Sequence, residues 1–409
     1  MTTDTMTLEP LVPFDARRPE VREDPYPLYR RLREEDPVHR GAVGEWVITT
    51  YADVATVLGD PRFSNDLTST EMQRARIAAI GAEAAEFDSG LSMISMDPPD
   101  HTRLRRLVQK AFTPRAVEVL RPRIEEIVEG LLDPVEAAGS MDLIADFAFP
   151  FPIIVICELL GVPISDRALF HRLTAAMLDD TSFATDDAAA MQKSFGARME
   201  MQRYMGELVA RRRREPTDDL MGALVKVEQE GDQLSERELV ETGMLLLIAG
   251  HVTTSNLIGN GMLALLRHPE ELRRLREDPA LGRSAVEELL RYDGPVHAIS
   301  RAALEDVELH GRTIRAGDLV MAQIGAANRD PARFPDPERL DLGRRDNRHV
   351  AFGRGIHFCL GAPLARVEGE IAIAALLRRF PEMALATDRP RWTGSFLRGL
   401  EELPLTVAR

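Results

Sequence analysis

Three glycines, a histidine and a cysteine fall within ten residues, Phe352-Gly353-Arg354-Gly355-Ile356-His357-Phe358-Cys359-Leu360-Gly361. Apolar residues then recur at helical spacing (Leu364, Val367, Ile371, Ala374, Leu377), so Cys359 lies on a glycine-rich loop running into a helix N-terminus. The unpaired N–H groups and dipole there favour negative charge, and so a thiolate. Gly353 and Gly355 let the backbone come close to a bulky ligand. A dinucleotide fingerprint would need glycine at Phe358 and a following acidic strand. Zinc would need several close Cys or His ligands, and the only other cysteine is Cys157. Covalent c-type haem would need C-x-x-C-H. A buried, inert cysteine in a turn stays open on residue types alone, although it leaves the glycines unexplained.

The loop resembles the haem-binding loop of the cytochrome P450 superfamily, F-G-x-G-x-H-x-C-x-G, at every fixed position. The resemblance implies that Cys359 is the thiolate ligand of a haem b iron, a ligand that pushes electron density onto the metal and favours O–O cleavage. Phe352, Gly353 and Gly361 would then shape the cofactor's bed, with His357 on a propionate. Upstream, the prolines at 98 and 99 punctuate a helix start. His101 and Arg105, four apart, share one face of that helix and can grip a carboxylate. The family uses this H-x-x-x-R pair, and an arginine at the position of Arg301, to hold the propionates.

The second anchor is a long helix. Ser235 and Glu238 form a capping box, and helical pattern continues to Pro269, about 34 residues and roughly 50 Å. A helix of that length and apolarity must cross the interior. At its centre stand Ala249-Gly250-His251-Val252-Thr253-Thr254. Gly and Thr are poor helix formers, and Thr hydroxyls compete for backbone partners, which predicts a local distortion. Small residues packed against a neighbouring helix are the plainer reading. The segment is similar to the family's A-G-x-[DE]-T oxygen-activating groove, which implies room for dioxygen at Ala249 and Gly250 and a proton-relay hydroxyl on Thr253. The expected carboxylate is replaced by Val252, which carries no proton. That leaves His251, ordered water or a polar group of the substrate to supply one.

Ser284 and Glu287 read as another capping box. Glu288 and Arg291 match the family's buried E-x-x-R, with Arg339 of Phe334-Pro335-Asp336-Pro337-Glu338-Arg339 as the third member bracing the haem loop. Family placement puts Met93, Leu246, Val296, Ile299, Phe396 and Leu397 along the substrate pocket. Arg103, Arg106, Arg344, Arg345 and Arg354 together make a basic docking face near the thiolate. The remaining chain predicts a helix over 25–36 with Leu28 and Leu32 inward, and a strand at 45–49. It also predicts weak, partly helical structure over 64–92, mostly helix over 115–215, and short strands at 307–309, 313–314 and 319–322. An apolar run from Phe147 to Leu160, interrupted by prolines, places Cys157 in the core. The resemblance places the pocket lid around a polar break over 179–187, with Met177, Leu178 and Phe183 either on the substrate or packed in the core.

The net charge of -15 argues against nucleic acid as a partner. No apolar stretch reads as long as the roughly 18 residues a membrane span needs. The N-terminus has no basic leader, and two cysteines of unlike context fit a reducing cytoplasm. The resemblance, from about Pro25 onward, implies a mainly α fold with small β-sheets. One cytochrome P450 domain over 1–409, with an irregular arm at 1–20, would hold haem between the long central helix and the cysteine loop. It implies oxygen insertion into a C–H bond, or epoxidation, of a bulky apolar small molecule such as a polyketide or macrolide, terpenoid, steroid or fatty acid, in secondary metabolism. No flavin or iron–sulfur module follows Cys359, so electrons from NAD(P)H would arrive through a separate ferredoxin and ferredoxin reductase, with O2 as co-substrate. Val252 keeps open a peroxide-driven or isomerising haem-thiolate enzyme, which turnover with peroxide alone separates. A non-catalytic haem ligand-binding protein is the other class, marked by absence of cofactor-dependent turnover.

Overall fold

A computed structural model of the chain describes residues 14–16, 18–74, 92–178, 188–229, 234–394 and 396–408. The start of the arm (1–13), 75–91 of the weakly patterned segment, and the polar break with Phe183 lie outside the described residues. Helices α1 (Pro19–Glu23) and α2 (Tyr26–Glu35) come first. In α2, Tyr26, Tyr29 and Leu32 are buried and Leu28 half-buried, so the inward stripe is wider than two leucines. β1 (Val38–Arg40) and β2 (Trp46–Ile48) follow, the latter at the predicted strand, then α3 (Tyr51–Gly59), whose Thr50 cap accepts from the Asp53 N–H, and β3 (Phe63–Ser64).

The helical middle holds α4 (Asp100–Val108), α5 (Pro114–Ala138), the strand β4 (Ser140–Asp142), α6 (Pro150–Leu160), α7 (Arg167–Met177), α8 (Ala188–Arg214) and α9 (Leu220–Gln229). A π-helical turn, Leu143–Ala148, leads into α6. Together they correct the sequence reading: Leu143–Leu160 is 18 residues, long and apolar enough to cross a membrane, yet 61% of it is buried within the fold. The prolines at 150 and 152 do not break the run, because both fall in the first turn, where no helical N–H bond is lost. Cys157 is fully buried there, and burial pushes its thiol up to about 12.

The long helix is α10 (Glu236–Arg267), 32 residues with both halves of the Ser235–Glu238 capping box formed. Next are α11 (Pro269–Glu277) and α12 (Gly282–Asp293). No second capping box forms. Ser284 lies inside α12 and donates to the Leu281 carbonyl at 2.9 Å, and Glu287 turns to other partners. Strands β5 (Ala298–Ala303), β6 (Val307–Leu309), β7 (Arg312–Ile314) and β8 (Leu319–Gln323) precede the short α13 (Ile324–Ala327). The chain then reaches α14 (Ala362–Arg379) and strands β9 (Glu382–Leu385), β10 (Trp392–Thr393), β11 (Gly399–Leu400) and β12 (Pro404–Ala408).

The fold is mainly α with small sheets. The largest has the order β1-β2-β8-β5-β3, with β2 and β8 parallel and the other pairs antiparallel. β12 joins β4 to β9, tying the C-terminal region to the chain's middle. One large apolar cluster runs through α4 to α14, and a smaller one fills the space around the main sheet. α10 packs on α6, α8, α12 and α14, so it runs through the core beside the helix that follows the cysteine loop.

Candidate active site

The cysteine loop is held by its own backbone. The Cys359 N–H donates to the Phe352 carbonyl at 2.8 Å, and the Gly353 N–H to the Val350 carbonyl at 2.8 Å. Gly353 and Gly355 both sit at φ +71°, where other residues are strained. At Gly355 a Cβ would stand 3.1 Å from the Leu58 carbonyl oxygen, so the loop lies directly on the end of α3. Burial pushes the Cys359 thiol up. The N–H groups of Gly361 and Ala362, with Arg105 and Arg366, pull the other way without prevailing. The helix N-terminus thus favours the anion, as its N–H groups suggest, while burial opposes it.

Around this loop the structure gathers His101 and Arg105 of α4, Arg301 of β5 and His357. The rings of His101 and His357 lie 4.1 Å apart. Both ring nitrogens of His101, and Nε2 of His357, are buried without a hydrogen-bond partner. Burial, together with His101, Arg301 and Arg105, drives His357 down to about 3. Burial, then Arg105, lowers His101. Arg301, 3% exposed, is lowered to about 10 by burial, and its guanidinium donates to the Ser300 carbonyl at 2.8 Å. Arg105 donates to the Phe358 carbonyl at 2.6 Å. Among the described residues none of the four forms an ion pair with a carboxylate. The two imidazoles are held down by burial and by their cationic neighbours, and the two arginines by burial; Asp97 opposes this at His101 and Arg301 without forming an ion pair with either. Such a cluster beside a single sulfur fits haem, whose two carboxylates and iron match the donor set.

The centre of α10 faces two ways. Ala249 is exposed and Val252 and Thr253 half-buried, whereas His251 is fully buried. Thr253 Oγ1 donates to the Ala249 carbonyl at 3.0 Å, the back-bond its position predicts. His251 is not on that face. Two residues are about 200° apart on a helix, and its Nδ1 lies 2.6 Å from the Leu247 carbonyl while its ring meets Phe149 edge-on at 5.8 Å. Burial holds it down to about 4, so it is neutral and turned from the groove. At Gly250 a Cβ would come 2.7 Å from the Ile156 side chain of α6, so the close approach of the two helices favours glycine there, in line with the plainer reading.

Sequence reasoning missed Glu368. It is 1% exposed between α14 and α10, and neither carboxyl oxygen makes a hydrogen bond of ordinary geometry. Burial pushes its carboxyl well above the usual range, opposed only by the Thr254 side chain, so it holds a proton. Its signal was legible: four residues after Leu364, it falls on the apolar stripe of α14.

The E-x-x-R brace is present, but its third member is Arg344. Glu288 and Arg291 are fully buried, with two bonds of 2.8 Å. Arg344 Nε donates to both Glu288 oxygens at 3.1 and 3.2 Å, and Asn347 adds a bond of 3.1 Å. Arg339 contributes only its carbonyl, which takes Arg291 at 3.1 Å. Beside them Glu287, held down to about 2, pairs with His349 and with Arg366 of α14, whose guanidinium lies 4.5 Å over Phe352. Burial would raise that carboxyl, but its two cationic partners reverse the effect.

Arg344 is thereby lost to the basic docking face. So is Arg103, which pairs with Asp100 and with Glu238 at the cap of α10. Arg106, Arg345 and Arg354 stay exposed. Of the pocket residues, Val296 and Leu397 are antiparallel bridge partners, Met93 and Leu246 are buried in the large cluster, and Ile299 packs against the sheet's cluster. Phe396 places its carbonyl 2.8 Å from the His297 N–H.

A family model described as Cytochrome P450 matches residues 46–391. A curated relative, the vitamin D(3) 25-hydroxylase of Pseudonocardia autotrophica, is 47% identical over 395 residues, covering 94% of each chain. The polyketide biosynthesis cytochrome P450 PksS of Bacillus subtilis is 44% identical over 408 residues, covering 97% of this chain and 99% of its own. Among solved structures, the myxobacterial cytochrome P450 CYP267B1 in complex with myristic acid superposes with a TM-score of 0.90 at 44% identity, covering 96% of this chain and 98% of that one.

Proposed function

The chain belongs to the cytochrome P450 family, and from that premise we propose that it is a haem-thiolate monooxygenase acting on a bulky apolar small molecule. The balanced reaction is substrate, O2, NAD(P)H and one proton going to oxygenated product, water and NAD(P)+. The observation that carries this reading is the convergence of His101, Arg105, Arg301 and His357 beside the Cys359 loop, none of them in an ion pair among the described residues, with His101 lacking any hydrogen-bond partner on its ring.

Haem, when bound, supplies the iron chemistry that reduces dioxygen and transfers one oxygen atom. Cys359 Sγ would hold the iron, and His101, Arg105, Arg301 and His357 the propionates. Ala249 keeps the wall of the groove small. Thr253 holds its hydroxyl proton on the Ala249 carbonyl, one rotation from the open face of α10. Val252 cannot renew that proton, and His251 faces away. A proton reserve for this stretch is the buried carboxyl of Glu368, which meets the Thr254 side chain.

Apolar lining at Met93, Leu246, Val296 and Leu397 favours a polyketide or macrolide, terpenoid, steroid or fatty acid, as do the vitamin D(3), polyketide and myristic acid named for the relatives. We take the chain as one domain, a reading supported by the pairing of β12 with both β4 and β9, and place it in the cytoplasm by analogy with its bacterial relatives. Electrons come from a ferredoxin and its reductase docking at Arg106, Arg345 and Arg354. Reversing Arg106 and Arg345 to glutamate slows ferredoxin-driven reduction at low salt and matters less at high salt. Unchanged kinetics at low salt reject the patch.

The reading is tested by titrating the ferric holoprotein with a macrolide, a terpenoid, a steroid and a fatty acid while following the Soret band. A saturable shift toward high spin with one class, followed by NAD(P)H-dependent oxygenation of it, is the expected result. A protein that reconstitutes with haem yet shows neither shift nor turnover with any of them is not this enzyme.

A further inference from the structure

The two pocket stretches from distant parts of the chain, 295–297 and 396–398, meet edge to edge. Val296 bridges Leu397, the His297 N–H donates to the Phe396 carbonyl at 2.8 Å, and the Arg398 N–H to the Pro295 carbonyl at 2.8 Å. Such a short ladder has little stability of its own. What fixes it is the Arg398 side chain, only 5% exposed. Its Nε donates to Asp293 Oδ1 at 2.9 Å, one terminal nitrogen to the Arg22 carbonyl at 2.5 Å, and the other to the Glu23 carbonyl at 3.1 Å. The guanidinium lies 3.5 Å over the Trp392 ring. Each of the three nitrogens donates to a backbone carbonyl or a carboxylate.

The partners of Arg398 are themselves fixed. Asp293 closes α12 two residues before Pro295, and its Oδ1 also accepts from Tyr26 at 2.6 Å. Burial alone would raise that carboxyl; Arg398, His297 and Arg329 instead hold it well below the carboxylate range. Asn260, about two turns beyond Thr253 on α10, donates to the Asp293 carbonyl at 3.2 Å and the Arg398 carbonyl at 3.1 Å. A Cβ at Gly399 would stand 2.2 Å from Asn256 Oδ1, so the second stretch is pressed against α10. One planar fork therefore joins α1, α12 and the C-terminal hairpin, while α10 holds the same two stretches from behind.

We propose that Arg398 is a specificity-determining positioning residue: by locking 295–297 to 396–398 it sets the width of the pocket for an extended apolar substrate, and it brings α1 into that control. This rests on the reading of Val296 and Leu397 as pocket wall. Lysine keeps the charge but not the fork or the stack, and cannot meet three acceptors in one plane.

The test is the holoenzyme, wild type and Arg398→Lys, titrated with imidazole and with 1-dodecylimidazole while following the Soret band. Both ligate iron through the same nitrogen, and only the second fills the pocket. The variant is expected to raise the Kd for dodecylimidazole about tenfold and to leave imidazole within about twofold. Equal shifts for both ligands, or none, overturn the proposal. If Arg398→Lys yields no holoprotein, Trp392→Leu removes the stack alone. Selective weakening of dodecylimidazole there supports the proposal, and an unaltered ratio overturns it. Failure of the pocket reading looks different: the wild type itself shows no preference for the dodecyl chain, and that overturns both.

Discussion

Glu288→Gln is expected to lower unfolding stability by about 3–5 kcal/mol, the cost of stranding buried charge, and to give a protein that loses haem during gel filtration. Glu288 accepts from Arg291, Arg344, Asn347 and the Asp341 N–H, all in a site with no solvent exposure at the carboxylate. An amide cannot match two guanidinium groups, so both would remain desolvated without a counter-charge. Arg291 also ties the carbonyls of Asn328, Pro337 and Arg339, and the connection it braces leads straight into the cysteine loop. The loss should therefore appear twice, in the denaturation midpoint and in the ratio of Soret to protein absorbance. The exposed Arg273–Glu277 pair is the control: its removal should cost under about 1 kcal/mol. Equal effects at the two sites would show that burial does not make the brace special.

The sequence carried the site further than it carried the brace, for physical reasons. The cysteine loop, the His101–Arg105 pair and the capping box of α10 are local patterns, each written within a few residues. Arg344 was missed because what selects it over Arg339 is the path of an irregular connection, with Arg339 turned so that its carbonyl rather than its guanidinium faces Arg291. His251 failed as a proton source because its rotation about α10 matters more than its distance along it. Gly250 needed the position of Ile156, on another helix, before its role could be read. The second capping box failed in the same way. Tertiary partners, His349 and Arg366, took Glu287 away from the cap.

Glu368→Gln is expected to lower product formed per NAD(P)H consumed and to slow turnover about tenfold or more, within the range general acid catalysis supplies. The substitution is clean. Glu368 is neutral in the fold, so a glutamine of similar shape removes the exchangeable proton without removing a charge. Stability and haem content should then stay near wild type, unlike the result for Glu288. Val252→Glu should act in the opposite sense, raising the product ratio, because it places a titratable group one residue before Thr253 on the accessible side of α10. The two changes together separate the routes. If Val252→Glu restores the product ratio in a Glu368→Gln background, both carboxyls feed the same hydroxyl, and Thr253→Ala should abolish the rescue. If Glu368→Gln leaves the ratio unchanged, the buried carboxyl is structural, and the proton must come from water or substrate. An unchanged ratio in Val252→Glu would in turn remove position 252 from proton delivery. The measurement is product quantified against NAD(P)H oxidised and peroxide released, because a proton shortage diverts electrons from product without slowing their consumption in proportion.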